Sequence, residues 1–179
     1  MIKRTFLLFE RIKNKISKKY REYIFFCLTG QKVKLVKNIT LINRNVKIGK
    51  NVTIYPDVML FGDGLIEIGD NVEIGNGTII YASKEGGVSI GENTLIAAQC
   101  YLIDMDHGIN KGELIRNQSN TVSPIKIGKD VWIAANVTIL KGSIVEDGAI
   151  IGAKGLVKGN IPSNAIAVGN PAKILKYRE

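Results

Sequence analysis

The chain contains a single histidine, His107, in the segment Asp104-Met105-Asp106-His107-Gly108. An imidazole, with an unperturbed pKa of about 6.5, can take up and release a proton near neutral pH. Two carboxylates precede it closely, and a carboxylate or carbonyl on the second ring nitrogen would fix its tautomer. The segment therefore predicts acid–base chemistry. The alternative interpretations are a surface or packing histidine and a pair of turn-forming aspartates.

Most of the remaining chain follows a six-residue repeat of aliphatic residues. The clearest row reads Ile127, Ile133, Ile139, Val145, Ile151 and Val157, and an earlier one reads Val36, Ile42, Ile48 and Ile54. Looser rows lie two residues before, as in Ile125, Val131 and Val137. Alternate residues of a strand face one side, so both kinds of row are expected to point into a core. Three units would close a triangular coil, and stacked coils predict a parallel β-helix.

Glycines and register shifts predict the corners and loops. Glycine directly follows row positions at Gly49, Gly69 and Gly128, where it is expected to allow φ values that other residues avoid. The rows shift near residues 61–64 and 83–87, and residues 104–123 contain no aliphatic row. That last segment is expected to leave the solenoid and return to it. Repeat proteins often carry function on such insertions, and His107 lies at its start.

The first 30 residues form a separate basic segment. They hold eight Lys and Arg against two Glu, which is +6 of the chain's net charge of +9. Apolar residues such as Ile2, Phe6 and Phe9 recur at helical spacing, which predicts a basic amphipathic helix. It could cap the end of the solenoid or lie on an anionic membrane through residues 1–24. Nucleic-acid binding is not favoured, because the solenoid lacks a recognition motif.

These features predict three regions and an intracellular setting. The regions are a basic helical segment over residues 1–30, a β-helix over 34–169 with a loop inserted at about 104–123, and a C-terminal turn and tail over 170–179. Cys27 and Cys100 form no disulfide framework, which favours a reducing compartment. No cleavable signal peptide is evident. We therefore expect a cytoplasmic protein, with peripheral contact to the inner face of the membrane as the open alternative.

Three segments resemble a known family. They are residues 104–107 (Asp-Met-Asp-His), 127–137 (Ile-Gly-Lys-Asp-Val-Trp-Ile-Ala-Ala-Asn-Val) and 167–174 (Ala-Val-Gly-Asn-Pro-Ala-Lys-Ile). From about residue 34 to the C-terminus the chain resembles the hexapeptide-repeat acyltransferases, whose fold is a left-handed parallel β-helix. Within them it is most similar to sugar O-acetyltransferases of the capsule, O-antigen and nodulation-factor type. The resemblance implies a homotrimer and left-handed coils.

The resemblance also implies a reaction and a set of site residues. The reaction is acetyl transfer from acetyl-CoA to a hydroxyl of a sugar or surface-glycan precursor, with no metal required. His107 would be the general base, supported by Asp104 or Asp106. Acetyl-CoA would lie between neighbouring subunits of the trimer. The residues matching its contact positions are Trp132, Ala135, Ala153, Lys158, Asn170, Pro171 and Lys173. The candidates for the acceptor pocket are Arg116, Asn117 and Gln118.

Some residues depart from the family pattern, and other functions stay open. Ala134 stands where the family usually has Gly, Ala135 where some members have Ser, and Lys158 where Thr is usual.

One alternative is an acyltransferase of the same fold that uses an amine or serine acceptor. Such enzymes usually carry a larger N-terminal domain than residues 1–33 could form. Another is a non-catalytic trimeric binding module. A zinc carbonic anhydrase needs three His ligands, which one histidine excludes.

Overall fold

The structure is a computed structural model that describes residues 19–23, 25–27, 30, 33–35, 40, 41, 43 and 45–179. Across these residues the chain winds through six coils of three short strands each. The predicted helix over residues 1–30 lies largely outside the described residues. Residues 19–23 and 25–27 are helical. No helix among the described residues combines the length and the apolar character needed to cross a bilayer.

The strands follow one another coil by coil. The first three coils contain β1 (Lys34–Leu35), β2 (Thr40–Leu41) and β3 (Val46–Ile48); β4 (Thr53–Ile54), β5 (Met59–Gly62) and β6 (Ile66–Ile68); and β7 (Glu73–Ile74), β8 (Ile79–Ala82) and β9 (Val88–Ile90). The fourth contains β10 (Leu95–Ile96), β11 (Tyr101–Ile103) and β14 (Ile125–Ile127). The loop inserted between β11 and β14 contains β12 (Met105–Asp106), a 3-10 turn (Ile115–Asn117) and β13 (Thr121–Val122). The last two contain β15 (Trp132–Ile133), β16 (Thr138–Ile139) and β17 (Ile144–Val145), then β18 (Ile150–Ile151), β19 (Leu156–Val157) and β20 (Asn160–Ile161). The chain ends with β21 (Ala165–Val168) and β22 (Lys173–Tyr177).

Equivalent strands of successive coils stack in parallel into three walls. The first strands of the coils form sheet A, the second strands sheet B and the third strands sheet C. Ile90 pairs with Ile127, and Ile127 with Val145, which confirms the predicted coil of 18 residues between the last two positions. Val36 and Ile42 of the predicted first row lie outside the described residues. The buried residue in register with Ile54 is Leu35, so the first coil is displaced by one residue from the predicted row.

The inward rows make one aliphatic core. Ile133, Ile139, Val145 and Ile151 are all fully buried, as the six-residue repeat predicts. Each inward side chain packs on its equivalents in the coils above and below, since the coils are in register. The predicted fold class, a parallel β-helix of hexapeptide repeats, is confirmed. Burial of about 25 cal/mol per Å² of apolar surface makes these stacks the main stabilising term.

The glycines at the corners have a different role from the predicted one. The left-handed φ values fall two residues later, at Asn51 (56°), Asn71 (58°) and Asn93 (61°). Asparagine tolerates this conformation better than most residues, and Asn71 Nδ2 donates to Asn93 Oδ1 at 2.9 Å. A Cβ on Gly49 would instead lie 2.6 Å from the backbone nitrogen of Asp70 in the next coil. The close approach of successive coils, and not an unusual φ, therefore requires glycine there.

Both ends of the solenoid are covered. In the helical residues Phe25 is buried, and the Leu35 N–H in β1 donates to Glu22 Oε1 at 3.2 Å, which agrees with the capping interpretation. At the other end β22 folds back antiparallel on β21. Arg178 Nη1 then donates to Asp130 Oδ2 and to the Gly148 carbonyl, both at 2.9 Å. The pairing of β22 covers the edge of β21, which would otherwise be open.

A matched pair of isoleucines tests the inward and outward assignments. Ile139→Ala should lower the free energy of unfolding by about 2–5 kcal/mol, because Ile139 is fully buried and a cavity would remain. Ile144→Ala should change it by less than about 1 kcal/mol, since that side chain is 42% exposed on sheet C. Denaturant unfolding followed by circular dichroism measures both. Equal losses in the two variants would contradict the assigned faces.

Candidate active site

The inserted loop leaves the solenoid at the edge between sheets B and C. β12 and β13 pair antiparallel at its base, with Met105 opposite Val122 and Asp106 opposite Thr121. His107 follows β12 directly and is exposed to solvent. The only histidine of the chain therefore lies on a short hairpin that projects from the solenoid.

A cleft of about 960 Å³ opens beside His107. The lining residues are Asp106, His107, Gly108, Ile109, Asn110, Glu113, Ile115, Asn117, Gln118, Ser119, Thr121 and Lys141. Most of them carry hydroxyl, amide or charged groups, which can hydrogen-bond a polar ligand. Lys141 is the one contribution from the neighbouring coil. The cleft is large enough for a sugar-sized ligand, and the imidazole forms part of its lining.

The Asp104 carboxylate does not hydrogen-bond the His107 ring in this structure. Its side chain is fully buried and points towards the turn of the preceding coil. The carboxylate accepts hydrogen bonds from Ser83 N (2.9 Å), Ser83 Oγ (2.6 Å) and Gly87 N (2.7 Å). A buried carboxylate needs such donors, because it has lost its hydration. The Asp104 carboxylate is therefore not the group on the second ring nitrogen of His107; it binds the scaffold instead.

Asp106 points towards the following coil. Its Oδ2 lies 3.7 Å from Lys141 Nζ, and the two side chains are 52% and 28% exposed. An ion pair with this exposure is worth at most about 1 kcal/mol. In the described part of the chain neither aspartate is hydrogen-bonded to the His107 ring. Sequence reasoning missed Lys141, although the register gives its position: Leu102 pairs with Ile139, so Lys141 follows one coil above Asp104.

The three predicted acceptor residues have different positions. The Gln118 side chain is used inside the loop: Oε1 accepts from Asn110 N at 2.7 Å, and Nε2 donates to the carbonyls of Asn110 and Glu113 at 3.0 Å. Asn117 lines the cleft. Arg116 is exposed and does not belong to the lining. Asn117 and Gln118 therefore both line the cleft, and the side chain of Gln118 is already hydrogen-bonded within the loop.

Most of the predicted acetyl-CoA residues lie on another edge. Ala135 and Ala153 follow β15 and β18, at the edge between sheets A and B, and Lys154 N donates to the Ala135 carbonyl at 3.0 Å. The turn with the cis peptide Asn170-Pro171 closes this edge. There Leu156 N donates to the Gly169 carbonyl and Ala172 N to the Leu156 carbonyl. Lys173 begins β22 beside that turn. The whole width of sheet B separates these residues from His107.

Two predicted acetyl-CoA residues lie elsewhere. Lys158 follows β19, so it lies at the edge between sheets B and C, two coils beyond the coil that carries His107. Trp132 projects from sheet A and is 50% exposed. It lines a smaller cleft of about 280 Å³ with Tyr55, Glu73 and Leu95. In one copy of the chain, the seven residues therefore do not meet in a single site.

The buried thiol belongs to the core. Burial raises the pKa of Cys100, and its Sγ–H donates to the Ala134 carbonyl at 3.2 Å. A protonated, buried thiol is not a nucleophile. Burial, and after it the neighbouring Tyr81, also raise the pKa of Tyr101 on sheet B. Among the described residues, no group of three or more His, Cys, Asp or Glu could hold a metal ion.

Comparison with known proteins agrees with this architecture. Residues 124–159 match the model of the bacterial transferase hexapeptide (six repeats), and residues 41–82 match the hexapeptide repeat of succinyl-transferase. A maltose O-acetyltransferase from Clostridium difficile has a similar structure, with 30% identity and a TM-score of 0.63. The match covers 90% of this chain and 76% of that one. The chain belongs to the hexapeptide-repeat acyltransferase family.

Curated members of the hexapeptide-repeat family match over shorter regions. A putative lipopolysaccharide biosynthesis O-acetyl transferase of Escherichia coli, WbbJ, is 39% identical over 124 residues, which cover 65% of this chain and 62% of WbbJ. A probable acetyltransferase of Mycobacterium tuberculosis is 36% identical over 118 residues, which cover 65% of this chain and 39% of that protein. The chain therefore spans less than two thirds of the length of these relatives.

Two neighbouring amides test the internal structure of the loop. Gln118→Ala removes three hydrogen bonds that close residues 110–118, whereas Asn117→Ala removes a side chain that forms none with the described residues. At about 0.5–1.5 kcal/mol each, the lost bonds should speed amide hydrogen exchange of residues 109–116 by about tenfold or more. Asn117→Ala should leave the exchange rates unchanged. The same rates in Gln118→Ala and wild type would contradict the assigned role.

Proposed function

We propose that this chain is an acetyl-CoA-dependent O-acetyltransferase that acetylates a hydroxyl of a sugar or surface-glycan precursor. The observation that carries the proposal is the position of His107. The only imidazole of the chain lies at the rim of a polar cleft, on a loop that projects from the scaffold of an acyltransferase family. Relatives named as lipopolysaccharide and maltose O-acetyltransferases support a sugar hydroxyl as the acceptor.

His107 acts as the general base in this proposal. The neutral imidazole removes the proton of the acceptor hydroxyl as its oxygen attacks the thioester carbonyl. A new C–O bond forms, and the carbonyl electrons move onto oxygen, where backbone N–H groups stabilise the charge. The C=O bond then re-forms as the C–S bond breaks, which leaves the acetyl ester of the acceptor, and the imidazolium protonates the departing thiolate. Ala135 offers no hydroxyl to assist the oxyanion, so a backbone donor has this task.

A second copy of the chain would complete the site. In one copy, the edge with Ala135 and Ala153 and the edge with His107 lie on opposite sides of sheet B. The outward face of sheet B is rich in half-buried apolar side chains, namely Met59, Phe61, Ile79, Tyr81, Tyr101, Ile103 and Leu156. The outward face of sheet C is polar by comparison, with Lys47, Glu67, Ser89, Lys126 and Asn160, although Ile144 also lies on it. An apolar face of this kind suits contact between subunits, and we propose a homotrimer with acetyl-CoA between neighbouring copies.

Replacement of His107 tests the proposed chemistry. His107→Ala should lower kcat for acetyl transfer by about 100-fold or more, the usual contribution of a general base. Lys111→Ala, at an exposed loop position outside the cleft lining, is the matched control and should keep full activity. Release of the CoA thiol is measured with a panel of sugars and lipid-linked glycan precursors. Equal turnover by wild type and His107→Ala would contradict the proposed base.

We also propose that the N-terminal segment contacts the cytoplasmic face of the membrane. The described helical residues bury Phe25 but expose Tyr20 (64%), Tyr23 (62%) and Phe26 (42%), and residues 1–30 carry a charge of +6. Exposed aromatic rings beside basic residues suit the interface of an anionic bilayer. Lipid-linked glycan precursors would be presented there to the enzyme.

Vesicle binding tests the membrane contact. The full chain should co-sediment with vesicles that contain anionic lipid and dissociate as salt is raised, since each basic residue near the surface contributes about 1 kcal/mol. Deletion of residues 1–24 should abolish binding. The double variant Tyr20→Ser/Tyr23→Ser should weaken it while leaving the buried Phe25 in place. Unchanged binding after the deletion would contradict the proposal.

A further inference from the structure

The buried carboxylate of Asp104 lies beneath the hairpin that carries His107 and takes no part in the proposed chemistry. We call this carboxylate and its hydrogen-bond donors at Ser83 and Gly87 the Asp104 clamp. We infer that Asp104 is a positioning residue, which fixes His107 over the cleft by tying the root of the hairpin to the turn at residues 83–87. The inference rests on the proposed function for its catalytic consequence. The contacts themselves are a property of the fold.

The Asp104 carboxylate connects the root of the hairpin to the solenoid. It is fully buried, and both oxygens accept hydrogen bonds from the preceding coil: Ser83 N and Oγ on one side and Gly87 N on the other. Within the described residues no cation pairs with it, so these three donors stabilise the charge. A group held in this way has one orientation, because any other would leave a buried carboxylate without partners.

The residues around the Asp104 clamp are closely packed. A Cβ on Gly86 would collide with the Asp104 carboxylate and would lie 2.7 Å from Val122 Cγ1, so the turn and both strands of the hairpin root are in contact. Ser123 N donates to the Asp104 carbonyl at 2.9 Å, which fixes the returning strand to the same residue. Both ends of the excursion therefore converge on Asp104.

The remaining connections of the hairpin are weaker. β12 and β13 contain two residues each, and the rest of the loop is largely exposed. The ion pair of Asp106 with Lys141 is at 3.7 Å and mostly in solvent. His107 lies three residues beyond Asp104, so a change in the direction of the chain at Asp104 moves the imidazole directly. Displacements of about 1 Å can cost about 100-fold in rate.

The single histidine makes the geometry directly measurable. His107 gives one imidazole signal in nitrogen–proton NMR spectra, with no other histidine to obscure it. Asp104→Asn keeps the shape of the side chain but replaces one carboxylate oxygen with an NH₂ group. That group is a donor and would face a backbone N–H instead of accepting from it. Ser83→Ala removes only the 2.6 Å hydroxyl contact and carries less risk for folding. Asp147→Asn is the matched control, since the Asp147 carboxylate accepts from Lys129 N at 2.7 Å at another corner.

The variants are compared by NMR, by thermal unfolding and by steady-state kinetics. Asp104→Asn should shift or split the His107 signal and lower kcat by about 100-fold, with the KM for acetyl-CoA within about twofold of wild type. Ser83→Ala should shift the signal in the same direction with a smaller loss of kcat. Asp147→Asn should change neither quantity.

Several outcomes would overturn the inference. One is a folded Asp104→Asn protein with the wild-type His107 signal and kcat. If Asp104→Asn does not fold, a wild-type signal in Ser83→Ala has the same meaning. An equal change in Asp147→Asn would show a general effect on the scaffold instead. The NMR comparison is independent of turnover, so it decides the role of the clamp even if the acetyl-transfer proposal itself fails.

Discussion

Axial register between successive coils is the constraint on which the rest of this structure depends. Each inward isoleucine or valine must lie on its equivalent in the next coil, as Ile133 does on Ile151, for the aliphatic stacks and the parallel hydrogen bonds to form together. A coil can therefore lengthen only at a corner. The chain returns to register after a step of 37 residues from Ile90 to Ile127, because the whole excursion is confined to one edge. The position of His107 is a consequence of that rule.

The same constraint places the proposed site residues on two edges of the solenoid. Residues that follow sheet A strands, such as Ala135 and Ala153, lie on one edge, and residues that follow sheet B strands, such as His107 and Lys158, lie on the next. One copy of the solenoid cannot bring these two edges together, because sheet B lies between them. In the proposed trimer a neighbouring copy would do so, and the apolar outward face of sheet B offers it a surface. In this proposal the active site would form only when subunits associate.

The sequence predicts the parts of the structure that are periodic. Coil length, the inward rows and the place of the insertion follow from spacing alone, because burial imposes one residue type at every sixth position. The sequence predicts glycines at the right corners but for the wrong reason. Gly49 is required because a side chain there would meet Asp70 in the next coil, and the spacing within one coil does not reveal that contact. The sequence leaves Asp104 and Asp106 as alternative partners of His107, because proximity in sequence does not show that the Asp104 carboxylate turns towards Ser83. Lys141 was missed for the same reason.

Complementation between two inactive variants tests the shared site most directly. His107→Ala removes the proposed base, and Ala153→Phe fills the edge proposed for acetyl-CoA, so each should be inactive alone. When the two are co-expressed, a site made by neighbouring copies can combine an intact His107 with an intact Ala153. With random mixing, about a quarter of the sites should be restored in a ring of head-to-tail contacts. Mixed assemblies of confirmed composition that regain no activity would contradict the account and place both functions within one chain.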